Sequence, residues 1–366
     1  MRLLLPLFVI PILFVENNAF SQNELSNDST SNKIFREKSL FVLPVAFRYP
    51  ETGWGGGVAA TSSWTWAKDS VGSKPSQASI GVTYTQNKQI LAFFPFSVFA
   101  KNNKFYFNSD IGWYRYNYYY YGVGENVVPE EIFDVDYLRI RFLASRQINA
   151  KTYVGLRLNL EPYNVTGTEE GGELSSGKIF GSNDSRTSAL GLAILRDTRD
   201  NVFYPRKGLF GEFSILPSTK LFGSNVEFLQ LNLDLAKYAS LSEKVVSASH
   251  IYAMNNFGKN VPFNQLALIG GAKRMRGIYY GYFRDKNAVI LQEELRWEVW
   301  RFIGLVGFGA VTFMGDEVDY LRLTKPKFTY GAGLRIATKN HLNLRLDYGL
   351  SPYGSGNFYA TIGEAF

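Results

Sequence analysis

The chain of 366 residues contains no cysteine and only two histidines, His250 and His341. Without cysteine, an exported form of the chain has no disulfide scaffold and no N-terminal cysteine that could carry a lipid. Two histidines and no thiol also leave no dense cluster of metal ligands. We therefore expect no metal and no other cofactor, and we expect backbone pairing and packing to hold the chain together.

Long apolar runs are equally scarce. One run, Leu3 to Val15, follows Met1-Arg2 and precedes the small-residue segment 19–21. It is shorter than the roughly 20 residues of a membrane-spanning helix, and its flanks are typical of a secretory signal peptide, although a single anchor is the alternative. We predict a signal peptide at 1–21, a short polar periplasmic leader at 22–38 and one barrel domain at 39–366.

The sequence has instead a strong period of two, which places alternate side chains on opposite faces of a strand. Leucines and a tyrosine alternate with Asn343, Arg345 and Asp347 along 342–350, and segments 138–142, 154–161 and 229–235 show the same split. A soluble sandwich also alternates, but charges so dense opposite leucines are typical of a barrel with lipid outside and a polar lumen. Such a sheet must close, because lipid offers no backbone partners.

The predicted fold class is therefore all-β, a transmembrane antiparallel β-barrel of about sixteen strands. The strand-like segments are 39–47, 53–67, 77–86, 90–100, 104–115, 136–146, 151–161, 186–196, 209–218, 226–237, 243–254, 287–299, 303–313, 328–337, 341–350 and 357–366. An even count places both termini in the periplasm, and this number of strands encloses an aqueous lumen.

The long connections at 116–135, 162–185 and 255–286 should face outward, and short ones such as 338–340 should face the periplasm. The tyrosine-rich run from Tyr114 to Tyr121 lies at a predicted strand end. We interpret it as an interfacial aromatic girdle, with a ligand-stacking platform as the alternative.

The formal net charge is +7 and the sequence pI is about 9.2. Because the chain is predicted to be exported, we expect no nucleic acid partner. Outer-membrane lipids or lipopolysaccharide are the negatively charged partners that an exported basic chain would meet. The alternative is that these charges are simply scattered over a solvated surface.

Five segments occur in an order typical of one family: Leu43-Pro44-Val45 with Tyr49-Pro50-Glu51-Thr52-Gly53, the run Arg-Asp-Thr-Arg-Asp-Asn-Val-Phe-Tyr-Pro-Arg-Lys-Gly at 196–208, Arg276-Gly277, Glu294-Leu295-Arg296, and Ile362-Gly363-Glu364-Ala365-Phe366. Together they resemble the barrel of the Omp85 superfamily, the bacterial surface antigen D15 group that includes the BamA and TamA insertases. The resemblance covers nearly all of the predicted mature chain and implies a place in the outer membrane of a Gram-negative bacterium. We expect the chain to lack the family's periplasmic POTRA domains, so that an insertase role would need partner proteins or would be a truncated function.

The resemblance also implies a lock inside the barrel. In the family, a long sixth extracellular loop folds into the lumen, and the arginine at its tip pairs with carboxylates of the wall. Arg276 matches that arginine, Gly277 the turn, and Glu294 lies on the polar face of its strand. Gly309 stands where the family often has a second inward acid, so either Asp316 substitutes or the lock is weaker. The alternative is that Arg276 only pins the loop.

A second motif lies at a strand end, in the turn formed by 197–208. Its members are Asp197, Arg199, Asp200, Pro205 and Gly208. Alternating charges with proline and glycine suit a tight periplasmic connection, because proline sets φ and glycine permits a positive φ. We interpret this motif as structural.

The predicted function is assistance in the assembly, insertion or translocation of proteins, or of lipids, at the outer membrane. It needs a weak lateral seam between the first strand, Leu40 to Arg48, and the last, Phe358 to Phe366, where a client strand could add. Client outer-membrane proteins and accessory envelope proteins are the expected partners. The alternative is a passive pore or a structural scaffold of the same fold. We predict no enzyme, because Ser249 and His250 are adjacent in sequence and therefore lie on opposite faces.

Overall fold

The computed structural model describes residues 38–49, 52–66, 73–124, 127–317, 325–337 and 343–366. The predicted signal peptide, nearly all of the predicted leader, the turn 338–340 and His341 lie outside the described residues. Within those ranges, no helix is both long enough and apolar enough to cross a lipid bilayer.

The described chain is almost entirely β-structure, with seventeen strands in one sheet and two in a small hairpin. The strands are β1 Lys38–Tyr49, β2 Gly53–Trp64, β3 Ser76–Thr85, β4 Ile90–Phe93, β5 Phe96–Ala100, β6 Phe105–Tyr120, β7 Glu131–Asn149, β8 Thr152–Thr168, β9 Asp184–Asp197, β10 Gly208–Ser218, β11 Phe228–Ser240, β12 Val245–Phe257, β13 Ala267–Ile269, β14 Phe283–Asp285, β15 Asn287–Trp300, β16 Ile303–Gly315, β17 Lys327–Ala337, β18 Asn343–Ser351 and β19 Gly354–Ile362. Two single-turn 3₁₀ helices, Leu174–Ser176 and Lys220–Phe222, lie in connections.

The strands of the large sheet pair antiparallel with their neighbours in chain order. Strands β4 and β5 both pair with β3 and β6, so they are two halves of one broken strand. The part of the wall that the structure describes therefore has sixteen strand positions, in agreement with the sixteen predicted segments. Within the described ranges, no backbone ladder joins β1 to β19, so these two strands form the ends of the ladder.

The burial pattern of the wall is inverted relative to a soluble protein. On β15, Leu295 and Trp297 are 52% and 51% exposed, whereas Glu294 and Arg296 are fully buried. Successive side chains of a strand alternate between faces, so the outer face is apolar and the inner face is charged. This pattern is typical of a barrel whose outer face contacts lipid and whose charged side chains pair with each other inside the lumen.

The connection 258–286, which contains the β13–β14 hairpin, occupies the lumen. The side-chain amides of Asn264 and Gln265 donate hydrogen bonds to Glu161 on β8, at 3.2 and 2.8 Å. Farther along, the same connection reaches Asp347 on β18 through Arg276. Strands β8 and β18 are the seventh and fifteenth positions of the sixteen-strand wall, so the sheet curls fully around this segment.

The tyrosine-rich run is placed differently from the prediction. Strand β6 extends to Tyr120, so Tyr116, Tyr118 and Tyr120 pack in an interior aromatic cluster with Phe263 of the luminal connection. The girdle interpretation is therefore wrong for these three side chains. The physical reason is that β6 and its neighbour β7 both run on beyond the predicted length, and their inward side chains meet the folded connection instead of lipid.

The C-terminus also differs from the prediction. The last strand ends at Ile362, and Gly363, with φ of +85°, turns the final residues into the barrel. Glu364 then pairs with Arg335 at 2.8 Å, and the ring of Phe366 stacks on His250 with 4.6 Å between ring centroids. The assignment of Phe366 to the lateral seam is therefore wrong, because buried positive charge in the lumen draws the acidic tail inward.

Candidate functional site

The tip of the luminal connection is built around two residues with positive φ. Met275 has φ of +58° and Gly277 has φ of +113°. A Cβ atom at position 277 would lie 2.8 Å from the carbonyl oxygen of Leu350, so only glycine fits against β18. The backbone N–H of Met275 donates to the side-chain oxygen of Gln292 on β15 at 3.1 Å. These contacts hold the intervening residue, Arg276, against the wall.

The guanidinium of Arg276 bridges two strands of the wall. Its Nη2 donates to Glu294 Oε1 on β15 and its Nη1 to Asp347 Oδ2 on β18, both at 2.5 Å. Its Cζ also lies 3.6 Å from the ring centroid of Phe308 on β16, in a cation–π arrangement. Arg276 is 2% exposed and both carboxylates are fully buried. Such a fully buried charge is stable only because opposite charges surround it.

The two carboxylates belong to a larger network of buried charges, in which, among the described residues, four guanidinium groups share three carboxylates. Arg296 contacts Glu294 at 2.7 Å, and Arg335 contacts Asp347 at 2.6 Å. The members are Arg276, Arg296, Arg335 and Arg345 with Glu294, Asp347 and Glu364. Because cations are in excess, the removal of any one carboxylate leaves a buried guanidinium under-compensated.

The backbone of the tip is also bonded to the last strand. Gly277 N–H donates to the hydroxyl of Tyr359 at 3.0 Å, and that hydroxyl donates to the carbonyl of Ile278 at 3.2 Å. The side-chain amide of Asn357 donates to the carbonyl of Gly277 at 3.2 Å. Tyr359 and Asn357 both lie on β19, one end of the ladder. The loop tip therefore connects the buried charge network to the strand that borders the predicted seam.

The structure thus brings together Arg276 and Glu294, the two charged residues selected from the sequence. The second acid is Asp347 and not Asp316. Gly309 pairs with Glu293 on the outer face, and the inward residue at this level of β16 is Phe308. Sequence reasoning missed Asp347 as a lock residue, although its place on the polar face of 342–350 was the available signal.

The turn motif makes local contacts around two carboxylates. Asp197 accepts hydrogen bonds from Nε and Nη2 of Arg199, both at 3.0 Å. One carboxylate oxygen of Asp200 accepts backbone N–H groups from Arg206 and Lys207 at 2.9 and 3.1 Å. These contacts lie within the turn itself and support its interpretation as structural.

Two further features fix the shape of this turn. Gly208 has φ of +106°, as the glycine of the motif predicted, and Pro205 is buried. Lys74, just before β3, contacts Asp197 at 2.7 Å and so ties the turn to a more distant part of the wall. Burial lowers the pKa of Lys74, and the Asp197 carboxylate opposes that shift.

The predicted seam residues lie in different settings. Leu40 on β1 is 69% exposed on the outer face. Arg48 also lies in β1 and pairs with Trp54 of β2, but its side chain lies outside the described residues. Phe358 lies in β19 opposite Tyr348 of β18. Leu40 and Phe358 therefore lie on the two end strands of the ladder, whereas Phe366 lies in the lumen.

We expect Gly277→Ala to lower the stability of the barrel by about 2 kcal/mol, because alanine adds both strain at positive φ and a clash with Leu350. Thermal unfolding of the detergent-solubilised protein measures this loss. Gly177→Ala is the matched control, since Gly177 also has positive φ (+69°) but a Cβ there meets nothing within 4 Å. Equal losses for both variants would mean that the close approach to Leu350 is unimportant.

Comparisons with known proteins agree with this architecture. A protein-family model described as the Omp85 superfamily domain matches residues 74–366. The crystal structure of BamA from Haemophilus ducreyi lacking POTRA domains 1-3 superposes with a TM-score of 0.56 and 13% identity, over 89% of this chain and 69% of that one. CdiB from Escherichia coli superposes with a TM-score of 0.56 and 11% identity, over 89% of this chain and 61% of that one. CdiB from Acinetobacter baumannii superposes with a TM-score of 0.51 and 10% identity, over 89% of this chain and 59% of that one.

These structural similarities, at such low identity, establish the barrel fold alone. The chain spans about two thirds of the BamA chain and about three fifths of each CdiB chain. No curated protein matches the sequence significantly.

Proposed function

Because the chain belongs to the Omp85 superfamily, we propose that this outer-membrane barrel assists the insertion or translocation of other proteins by opening its wall between β1 and β19. The observation that carries the proposal is the interrupted ladder: within the described ranges, β1 pairs with β2 and β19 with β18, but not with each other. Every other wall strand is paired on both sides.

An interrupted ladder in a membrane has a direct chemical consequence. Lipid tails offer no hydrogen-bond partners, so backbone groups along the two end strands are costly to leave facing lipid. A client strand that enters between β1 and β19 offers its N–H and carbonyl groups to them by strand addition. The barrel thereby lowers the free energy of a client strand before the client has closed on itself.

The buried charge network would then hold β19, the strand of the seam that does not move. Strand β19 is short, with nine residues, and its pairing with β18 shifts register near Ser351. The loop tip compensates by bonding Tyr359 and Asn357 of β19, while Arg276 binds β15 and β18. We propose that this arrangement keeps β19 in place while β1 moves. Client proteins, accessory envelope proteins and lipopolysaccharide remain the expected partners.

Photocrosslinking in cells tests the proposal. Probes at Leu40 and Val42 on β1 and at Phe358 and Ala360 on β19 are expected to capture many different unfolded or partly folded barrel proteins. Leu156 on β8 is the matched control, because it is 53% exposed to lipid within a fully paired part of the wall. Adducts to lipid alone, or equal client capture at Leu156, would contradict a lateral gate.

The alternative function, a passive pore or scaffold, uses the same fold. Two features weigh against an open pore: the luminal connection is bound to opposite walls, and Phe263 packs into the aromatic cluster at one end of the barrel. Ion conductance that is unaffected by Glu294→Lys would favour the pore. An enzymatic role is not proposed, since Ser249 faces outward while His250 is buried and bonded to Asp234 and Gln292.

A further inference from the structure

The outer wall carries a groove where β12, β15 and β16 meet. Its volume is about 370 Å³, and its outward-facing lining residues are Ser249, Ile251, Leu291, Glu293, Gly309 and Val311. The groove exists because small residues flank Glu293 on both sides: the register places Ser249 of β12 and Gly309 of β16 directly opposite it. A carboxylate therefore lies in a depression of a surface that otherwise contacts lipid.

Glu293 lies deep in the apolar band of the wall. It is the seventh of the fourteen residues of β15, and Leu291 and Leu295 flank it on the same outward face. Trp297 is the next outward residue after Leu295 and is 51% exposed. A tryptophan at this position is typical of the approach to the membrane–water interface. A charged side chain on the lipid face costs up to a few kcal/mol near the midplane. Ionisable residues at such depth mark functional sites and need a partner.

The barrel itself does not neutralise this carboxylate. Its hydrogen bond comes from the hydroxyl of Ser247 at 2.6 Å, and no ion pair to Glu293 is present among the described residues. Another outward acid, Asp136, is treated differently, because Arg115 binds it at 2.9 Å. Glu293 is thus left with a neutral partner in a place where a cation would stabilise it.

A lipid-facing cation lies on the same face of the same barrel. Lys237 of β11 is exposed and pairs in register with Ser249, which in turn pairs with Glu293. Lys237 and Glu293 are therefore two strand spacings apart, about 9.6 Å, with the small Ser249 between them. They form no ion pair with each other in the structure. Lys237, Ser249 and Glu293 are called the polar row below.

We propose that the polar row binds a second copy of this chain within the membrane. A two-fold axis along the membrane normal and close to Ser249 would turn one row onto the other. Viewed from outside, each barrel has its lysine on one side of Ser249 and its glutamate on the other, so face-to-face packing sets each Lys237 on the same side as the other copy's Glu293. The tilt of barrel strands offsets these two residues by about 6 Å along the membrane normal, a distance that the flexible lysine side chain can span. Such an interface is isologous and closed, with two intermolecular ion pairs.

The residues around the row suit close approach of two barrels. Ser247, Ser249, Gly307 and Gly309 all face outward with small or absent side chains, and a Cβ added at Gly307 would meet nothing within 4 Å. Small residues let backbones approach within the membrane, where dispersion contacts and polar pairs drive association. Lys237 can extend its apolar stem along this surface and present its ammonium to the facing carboxylate.

The absence of native cysteine makes a direct test possible. Under mild oxidation of intact outer membranes, Ser249→Cys is expected to form a disulfide-linked dimer because the two-fold axis brings both thiols within bonding reach. The control is Ala144→Cys, at a small outward residue of β7 beside the exposed Leu156. We expect roughly tenfold more dimer at position 249 than at 144.

Charge variants then distinguish an ion pair between Lys237 of one copy and Glu293 of the other from an ion pair within a single copy. In the Ser249→Cys background, Lys237→Glu and Glu293→Lys each place like charges face to face, so each alone should lose the dimer. When the two variants are expressed together with different tags, both facing pairs become complementary, and mixed dimers should be selectively restored. An ion pair within one copy would give no such selectivity.

Three outcomes overturn the proposal. Equal cross-linking at positions 249 and 144 means random collision, and no restoration of mixed dimers means that the two charges do not face each other across copies. A disulfide adduct of the Ser249→Cys protein to a different membrane protein means that the groove serves a foreign partner. Heat-modifiable gel mobility of each variant shows that the barrel has folded before any comparison is made.

Discussion

Arg276→Ala is expected to destabilise the barrel by about 3 to 5 kcal/mol, because it leaves two buried carboxylates without the cation that bridges them. Glu294 and Asp347 are both fully buried and each contacts Arg276 at 2.5 Å. The expected readouts are a lower thermal midpoint of the solubilised protein and protease cleavage within 258–286. Glu294 retains Arg296 and Asp347 retains Arg335, so the barrel should still assemble.

Arg274→Ala is the matched control for this experiment. Arg274 lies on the same connection, two residues away, and its Cζ lies 3.3 Å from the ring centroid of Tyr252. It forms no ion pair within the described ranges, so its loss should cost less than about 2 kcal/mol. If the two variants were equally stable and equally resistant to protease, the buried ion pairs would not be what holds the loop.

Asp347→Asn is expected to have an effect of the same size, about 3 to 5 kcal/mol, without a change in side-chain volume. The carboxylate contacts Arg276 and Arg335 at 2.5 and 2.6 Å and Arg345 at 3.6 Å. Its neutralisation leaves four buried guanidinium groups with two carboxylates. The thermal midpoint measures the loss, and Asp110→Asn, a lumen acid with only a 3.8 Å contact to Arg139, is the control.

The double variant tests whether the two residues act as one unit. Residues that share an ion pair give coupling energies of about 0.5 to 3 kcal/mol, and we expect the upper half of that range here. The Arg276→Ala and Asp347→Asn double variant should therefore lose about 1.5 to 3 kcal/mol less than the sum of the two single losses. Strictly additive losses would mean that Arg276 and Asp347 stabilise the barrel independently.

The two predictions bear on the proposed gate as well as on stability. The loop tip that carries Arg276 also bonds β19 through Tyr359 and Asn357. If release of the lock frees β19, photocrosslinking from Phe358 should change in Arg276→Ala but not in Arg274→Ala. If client capture at β1 persists while Phe358 is unaffected, the gate would not depend on the lock.

Much of the wall could be predicted from the sequence because strand alternation is local. The segments 287–299 and 341–350 were assigned correctly to within a few residues, and the inward orientation of Glu294 followed from the parity of its neighbours. Side chains two residues apart share a face whatever the rest of the chain does. The outward orientation of Glu293 follows from the same rule.

Partners across the lumen could not be predicted in this way. Asp347 meets Arg276 because strand register, the curvature of the sheet and the path of a long connection combine to bring together residues 71 positions apart. The inward turn of Phe366 depends on Arg296 and Arg335, the buried arginines that contact Glu364 from two different strands. No local pattern specifies such contacts.

The sequence by itself determined the strand number, the two faces of each strand, the membrane setting and the arginine at the loop tip. Only the tertiary structure decided which carboxylates bind that arginine, where the C-terminus lies, and that Lys237, Ser249 and Glu293 form one row. The physical reason is that alternation follows from the geometry of a single strand, whereas ion pairs and rows depend on the register between strands. Register is set by the turns that join neighbouring strands and by which face of each strand is buried, and not by one strand alone.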